Sequence, residues 1–150
     1  MILKYTSEVL IQAPIDFVVE YFENPQYLGF YQEGFVGKDL ISGEPGKELA
    51  VSNMHYKIGD RQMVIKETII DNHLPDHFEA LYEHRDMDNN FIAQFVAINE
   101  TETKYTVTIE YFRARWGTPR LLLRFFPKKM KQMSDKWMYN FRDFVERKYQ

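Results

Sequence analysis

Hydrophobic and polar positions change period twice along this chain. Residues 5–12 alternate, with Tyr5, Ser7, Val9 and Ile11 on one side and Thr6, Glu8 and Gln12 on the other. A two-residue repeat of this kind predicts a half-buried β-strand. Ala13-Pro14 ends it, and proline suits the first turn of a helix, where its missing N–H costs nothing. Ile15, Phe17, Val18, Tyr21 and Phe22 then follow helical spacing as far as Asn24-Pro25, where the residue before proline is pushed out of the helical region. Residues 26–33 leave room for one or two further turns before Gly34. From Phe35 the period returns to two. Turn-forming clusters at 43–46, 59–60, 72–76, 88–90 and 99–103 separate six strand-like runs, of which 47–58, 62–71, 77–85, 91–99 and 104–115 are the clearest. Connections this short join antiparallel neighbours, so the runs predict a meander of hairpins.

The helical period resumes near the C-terminus. Met130, Met133, Trp137, Phe141, Phe144 and Val145 recur in steps of three and four and form one apolar stripe. Residues 130–148 would make a helix about 28 Å long. Lys129, Lys131, Lys136, Arg142 and Arg147 fall largely off the stripe, and Pro127 marks its start or a kink. No repeat, low-complexity tract or linker interrupts the chain, so residues 1–150 read as one domain. The predicted class is α+β: one strand, two short helices, six antiparallel strands and one long helix, giving a curved antiparallel sheet of about seven strands wrapped around the last helix.

This order resembles the START-like, polyketide-cyclase-like (SRPBCC) helix-grip superfamily, to which plant pollen-allergen-type ligand carriers also belong. The resemblance is carried by residues 7–18 (Ser-Glu-Val-Leu-Ile-Gln-Ala-Pro-Ile-Asp-Phe-Val), where strand one meets the first helix, and by the terminal helix with Trp137, Phe141 and Phe144. It implies a hydrophobic ligand held between a curved sheet and the last helix. Some members of that superfamily are cyclases, aromatases or hydrolases and many are carriers. No catalytic motif of an enzymatic branch matches here residue by residue.

Alternation across the hairpins assigns an inner face. In 77–85, Phe78, Ala80, Tyr82 and His84 take one side. The same register places Phe91, Ala93, Phe95 and Ala97 inside, then Tyr105, Val107, Ile109, Tyr111 and Arg113. Going back along the chain it adds Met63, Ile65, Glu67 and Ile69, then Ser52, Met54 and Tyr56. The expected pocket is therefore apolar, walled by Phe91, Phe95, Met133 and Trp137, with Tyr56, Glu67, Tyr82, His84, Tyr111 and Arg113 as the convergent polar groups that orient an amphipathic ligand. Arg113 has the fork geometry to bind a carboxylate or phosphate. Glu67 or His84, if desolvated, are the candidates for acid–base work. Plainer readings stand beside these. Glu67 and Arg113 neutralise one another or one of them sits at the sheet rim in water, His84 is a rim histidine next to a turn, and the aromatic stripe, with Trp137 and Met133, is core packing against the sheet.

Composition narrows the chemistry. The chain has no cysteine, which removes disulfides, thiolate metal sites and cysteine nucleophiles. Of the four histidines, His73 and His77 have helical spacing but flank Leu74-Pro75 in a turn, so no metal site and no cofactor are expected. Neither a dinucleotide-binding nor a P-loop glycine string is present, and Gly-x-Ser-x-Gly is absent. The net charge of −3 conceals an asymmetry. Residues 1–112 carry 8 Lys/Arg against 19 Asp/Glu, and residues 113–150 carry 11 against 3. The simplest reading is a basic helix complementing an acidic sheet. The acidic sheet would repel phosphate, so nucleic acid is not an expected partner. The stretch 120–131 laces three leucines and two phenylalanines with basic residues, either as the buried first turns of the closing helix or as a lip for transient contact with an anionic membrane surface. No charged n-region precedes an apolar run and no apolar stretch of about 18 residues occurs, so the cytoplasm is the expected compartment.

Three readings follow. The leading one is a carrier that sequesters a hydrophobic or amphipathic, lipid- or polyketide-like molecule. A cyclase- or aromatase-type enzyme using Glu67 or His84 is the first rival. The second is a ligand-free protein-interaction module, with a homodimer as its simplest form.

Overall fold

The computed structural model describes residues 2–150. Strand β1 (Leu3–Ile11) is followed by α1 (Ile15–Glu23), a 3-10 turn at Pro25–Tyr27 and the short α2 (Leu28–Tyr31). Strands β2 (Phe35–Ser42), β3 (Val51–Ile58), β4 (Arg61–His73), β5 (His77–Glu83), β6 (Met87–Asn99) and β7 (Glu102–Ala114) come next, then α3 (Thr118–Phe125) and α4 (Pro127–Tyr149). The seven strands form one antiparallel sheet in the order β1-β7-β6-β5-β4-β3-β2, so every neighbour is a hairpin partner except β1, which closes against β7.

Local chemistry explains the boundaries. Pro14 stands just before α1, and the Asn24 side chain accepts the Gln26 N–H at 2.9 Å to start the 3-10 turn. Gly34 has a φ of 82°, and a Cβ there would lie 2.7 Å from the Lys57 carbonyl oxygen, so the entry to β2 requires glycine. Pro127 begins a second helix instead of continuing the first. The expected closing helix is thus two helices meeting at Phe126.

The inner face of the sheet alternates as the sequence predicts over most of its area. Ser52, Met54 and Tyr56 of β3, Glu67 and Ile69 of β4, Phe78 and Ala80 of β5, Ala93 and Phe95 of β6, and Tyr105, Val107 and Ile109 of β7 are all buried. Phe22 of α1 sets its ring edge-on to Phe78, Phe95, Tyr105 and Phe141, at centroid separations of 5.1–6.0 Å, and this aromatic knot closes one end of the concavity. α4 contributes Phe141, Phe144, Val145 and Met138 to the same core. Its N-terminal half is fastened to β1 by polar groups. The Ser7 hydroxyl donates to Asp135, Tyr5 and Ser134 share a hydrogen bond of 2.7 Å, and Lys131 Nζ reaches Asp135 at 2.8 Å.

Four expectations need correction. Residues 88–90 are not a turn but lie inside β6, and the chain reverses at 84–86. Asp88, Asn89 and Asn90 tolerate the strand because their side chains are occupied: Asp88 Oδ1 accepts the His84 N–H at 3.3 Å, and Asn90 donates to Glu79 Oε1 at 2.8 Å. The run 47–58 pairs only from Val51, since residues 43–50 form a loop. Ala97 is exposed near the end of its strand. Met133 is 59% exposed, and Met138 takes the buried place instead, because the stripe centres on Ser134, Trp137, Phe141 and Val145.

Candidate functional site

The polar centre of the inner face is Glu67, 5% exposed. It stands opposite Ser52 on β3 and Tyr82 on β5. Tyr82 donates its hydroxyl to Glu67 Oε2 at 2.7 Å, and Lys38 Nζ lies 2.8 Å from Oε1. A buried carboxylate is costly unless paired and hydrogen-bonded, and here each oxygen has a partner. Lys38 was not among the residues singled out from sequence. It reaches the inner face because β2 pairs it with Met54, but the strand has shifts in register and no clean alternation to announce that.

Burial raises the Tyr31, Tyr56 and Tyr82 hydroxyls above the ordinary tyrosine value of 10.0, and the Glu67 carboxylate raises them further. These rings are therefore neutral hydrogen-bonding groups at ordinary pH. Tyr56 donates to Gln32 Oε1 at 2.7 Å and stacks on Trp137 with centroids 5.8 Å apart. Tyr111 is raised likewise by burial, with Tyr5 adding to it.

Along the inner face burial changes from one end to the other. At the α1 end the side chains are closed off. Away from it Met63, Ile65, Tyr82, Phe91 and Tyr111 of the sheet and Trp137 of α4 are only partly buried, although all pack against the core, while Tyr56 and Met54, the cross-strand neighbours of Met63 and Ile65, are buried. Tyr82 and Tyr111 keep accessible surface. Phe95 belongs to the closed end and packs face to face on Tyr105 at 4.6 Å. A separate cleft of about 300 Å³ opens at the surface between residues 29–34 and α4, where Lys136 meets Glu33 at 3.2 Å.

Arg113 does not join this face. Asn89 pairs with Tyr111 and Asp88 with Arg113, so Phe112 is an extra residue in β7. This bulge reverses the alternation: Phe112 and Arg113 are exposed and Ala114 is buried. Arg113 grips Asp88 with Nε and, at 3.0 Å, Nη2, and Nη2 also donates to the His84 carbonyl at 2.6 Å. The guanidinium is committed to closing the β5–β6 turn, and the partner of Glu67 is Lys38.

His84 sits in that turn, partly exposed, and its Nδ1 accepts the Asp86 N–H at 3.2 Å. The neutral ring then carries its hydrogen on Nε2. Burial lowers its pKa below the ordinary value of 6.5, helped by Arg85, Arg113 and Arg61 and opposed by Asp86. The folded protein thus binds this proton less readily than the unfolded chain. The sign follows: stability is intact above about 6.5 and is eroded as pH falls through the lowered folded value. In an NMR titration the His84 ring is expected to show a midpoint below about 6.5; a midpoint above it would remove the burial argument.

At the cis Leu74-Pro75 corner, ligating atoms of Glu48, Asp71 and His73 come within 4.8 Å of one another. His73 Nδ1 pairs with Asp71 Oδ1, and His77 Nε2 lies 3.7 Å from Asp71 Oδ2. Asp71 thus holds both histidines, and Glu48 stands beside them as a second carboxylate, a grouping that the helical spacing of His73 and His77 did not foretell.

An antiparallel seven-stranded sheet gripping a long C-terminal helix, with short helices after strand one, is a helix-grip fold. Solved structures with this architecture include the Zhui aromatase/cyclase from Streptomyces sp. R1128, which matches with a TM-score of 0.78 at 11% identity over 98% of this chain and 95% of that one. A START superfamily protein from Mycobacterium smegmatis matches at 0.77 and 9% identity, over 96% and 97%. A conserved protein from Geobacillus kaustophilus matches at 0.77 and 14%, over 99% and 98%. No family model matches the sequence, and no curated protein is significantly similar to it. No helix among the described residues is long and apolar enough to cross a membrane.

Proposed function

We propose that the protein binds a hydrophobic or amphipathic small molecule against the half-open end of its concave face. The observation that carries this reading is the change in burial along that face. Met63, Ile65, Tyr82, Phe91, Tyr111 and Trp137 keep accessible surface although they pack against the core. These side chains would desolvate the apolar body of the ligand. The neutral Tyr82 and Tyr111 hydroxyls, with the Lys38–Glu67 pair behind them, would orient its polar end. The aromatase/cyclase and START proteins of the same fold make both a carrier and a cyclase-type enzyme reasonable. Site chemistry favours holding over proton transfer. Both oxygens of Glu67 are engaged by Lys38 and Tyr82, and the only lone pair of neutral His84 faces the Asp86 N–H.

Native mass spectrometry against fatty acids, sterols and polyketide-like aromatics tests the reading. A one-to-one adduct that disappears on denaturation is expected with at least one class, and Ile65→Trp, which fills the open end, should abolish it while the circular dichroism spectrum is kept. No adduct across the panel, or an adduct indifferent to Ile65→Trp, would sink the pocket and leave the interaction-module reading ahead.

A further inference from the structure

We infer that α3 and the start of α4 form a docking surface for an anionic lipid bilayer, independent of the pocket proposed above. α3 is seated by one face only. Pro119 and Leu123 are buried, and Leu123 packs with Ala114 and Met130. The outer side carries apolar residues too, Leu121 at 52% and Phe125 at 63% exposed, flanked just outside the helix by Trp116 at 81% and Phe126 at 55%. Leu121 and Phe125 are one helical turn apart and share a side. A surface helix that is apolar on its outer face leaves that area without a use inside the fold.

Charge says what the occupant is. Between Arg113 and Lys131 there are seven basic residues and no acidic one. Within that stretch Arg113, Arg115 and Lys131 are already matched, to Asp88, Asp86 and Asp135, and further along α4 Lys136 and Arg142 are matched to Glu33 and Asp143. Arg124, Lys128 and Lys129 are exposed and, among the described residues, none of them has a carboxylate within ion-pair distance. Arg120 lies over the Trp116 ring at 4.5 Å and Arg124 over Phe125 at 5.7 Å, so rings and cations are presented together. A concavity of about 470 Å³ runs along 125–129 to Gln132, with the two lysines on its border.

Exposed aromatic and leucine side chains ringed by free cations match an interface where acyl chains begin below a layer of phosphate and carboxylate headgroups. A two-fold contact between copies fits poorly, because it would set Arg124, Lys128 and Lys129 against their own counterparts. The acidic remainder of the chain would be repelled by the same bilayer, which fixes the orientation with α3 downward.

Flotation of the full-length protein with phosphatidylcholine vesicles, with and without phosphatidylserine, is the test. Binding is expected to the phosphatidylserine vesicles, weaker at high salt, and negligible to phosphatidylcholine alone. The paired change Lys128→Gln/Lys129→Gln should weaken it about fivefold for each cation removed, and Leu121→Ser/Phe125→Ser by about tenfold or more. All four positions are exposed, so the thermal midpoint should stay unchanged. Absence of binding to the anionic vesicles at low salt would overturn the inference. So would binding indifferent to the Leu121/Phe125 change, or a concentration-dependent dimer in sedimentation velocity that the same change dissolves.

Discussion

Phe141→Ala is expected to lower the unfolding free energy by about 3–5 kcal/mol, the usual cost of emptying a large aromatic site. The ring is 2% exposed and stands at the crossing of every layer, with centroids 4.9 Å from Tyr31, 5.6 Å from Tyr105 and 6.0 Å from Phe22. It joins α4 to α2, to the sheet and to α1 at once. Rigid aromatic neighbours collapse poorly into a void, so the upper half of the range applies. Urea denaturation measures it. A loss below about 1 kcal/mol would mean that α4 is not seated as described.

Lys38→Met is the second large effect. It leaves Glu67 Oε1 without its cation beneath the strands, and stranding one member of a buried pair costs about 3–5 kcal/mol. Lys38 keeps some contact with water, and a loss near the lower end of that range is expected. The diagnostic is the double variant. Lys38→Met with Glu67→Gln removes the stranded charge and should recover much of the loss, since the penalty belongs to the unpaired carboxylate. A double variant no more stable than Lys38→Met would show that the lysine acts through packing of its stem instead.

These residues also show what the sequence could and could not disclose. Strands β3 to β7 were readable because Ser52, Met54 and Tyr56, or Tyr105, Val107 and Ile109, alternate over lengths where one slip would expose the whole set. Tyr56, Glu67, Tyr82, Phe91, Phe95 and Tyr111 accordingly lie on the expected face. Arg113 was lost to a single extra residue, Phe112, whose bulge leaves no mark in composition or periodicity. Lys38 was missed because burial in β2 is irregular; an amphipathic cation there looks like any edge-strand lysine until its cross-strand neighbour is known. Met133 against Met138 turned on the rotation of a helix whose stripe both can join. The 88–90 turn failed because Asp and Asn are turn formers only while their side chains are free, and here tertiary partners occupy Asp88 and Asn90. The partial burial of Met63, Ile65 and Phe91 on an otherwise buried face was out of reach altogether, since it depends on how the helices sit over the sheet.

The pairing of β1 with β7 has a consequence for how the chain assembles. Strands β2 to β7 each meet the next through a short connection, so they can zip up in succession. β1 has no such neighbour: Leu3 pairs with Tyr111 and Ile11 with Thr103, and the Tyr5 hydroxyl reaches the Met130 carbonyl across 125 positions. The entropy of closing so long a loop must be met before any of those contacts form. The first strand of the sequence is therefore expected to be the last of the sheet to dock, arriving together with α4, whose polar half it fastens. Strand β1 and α4 are thus expected to behave as one late-folding unit.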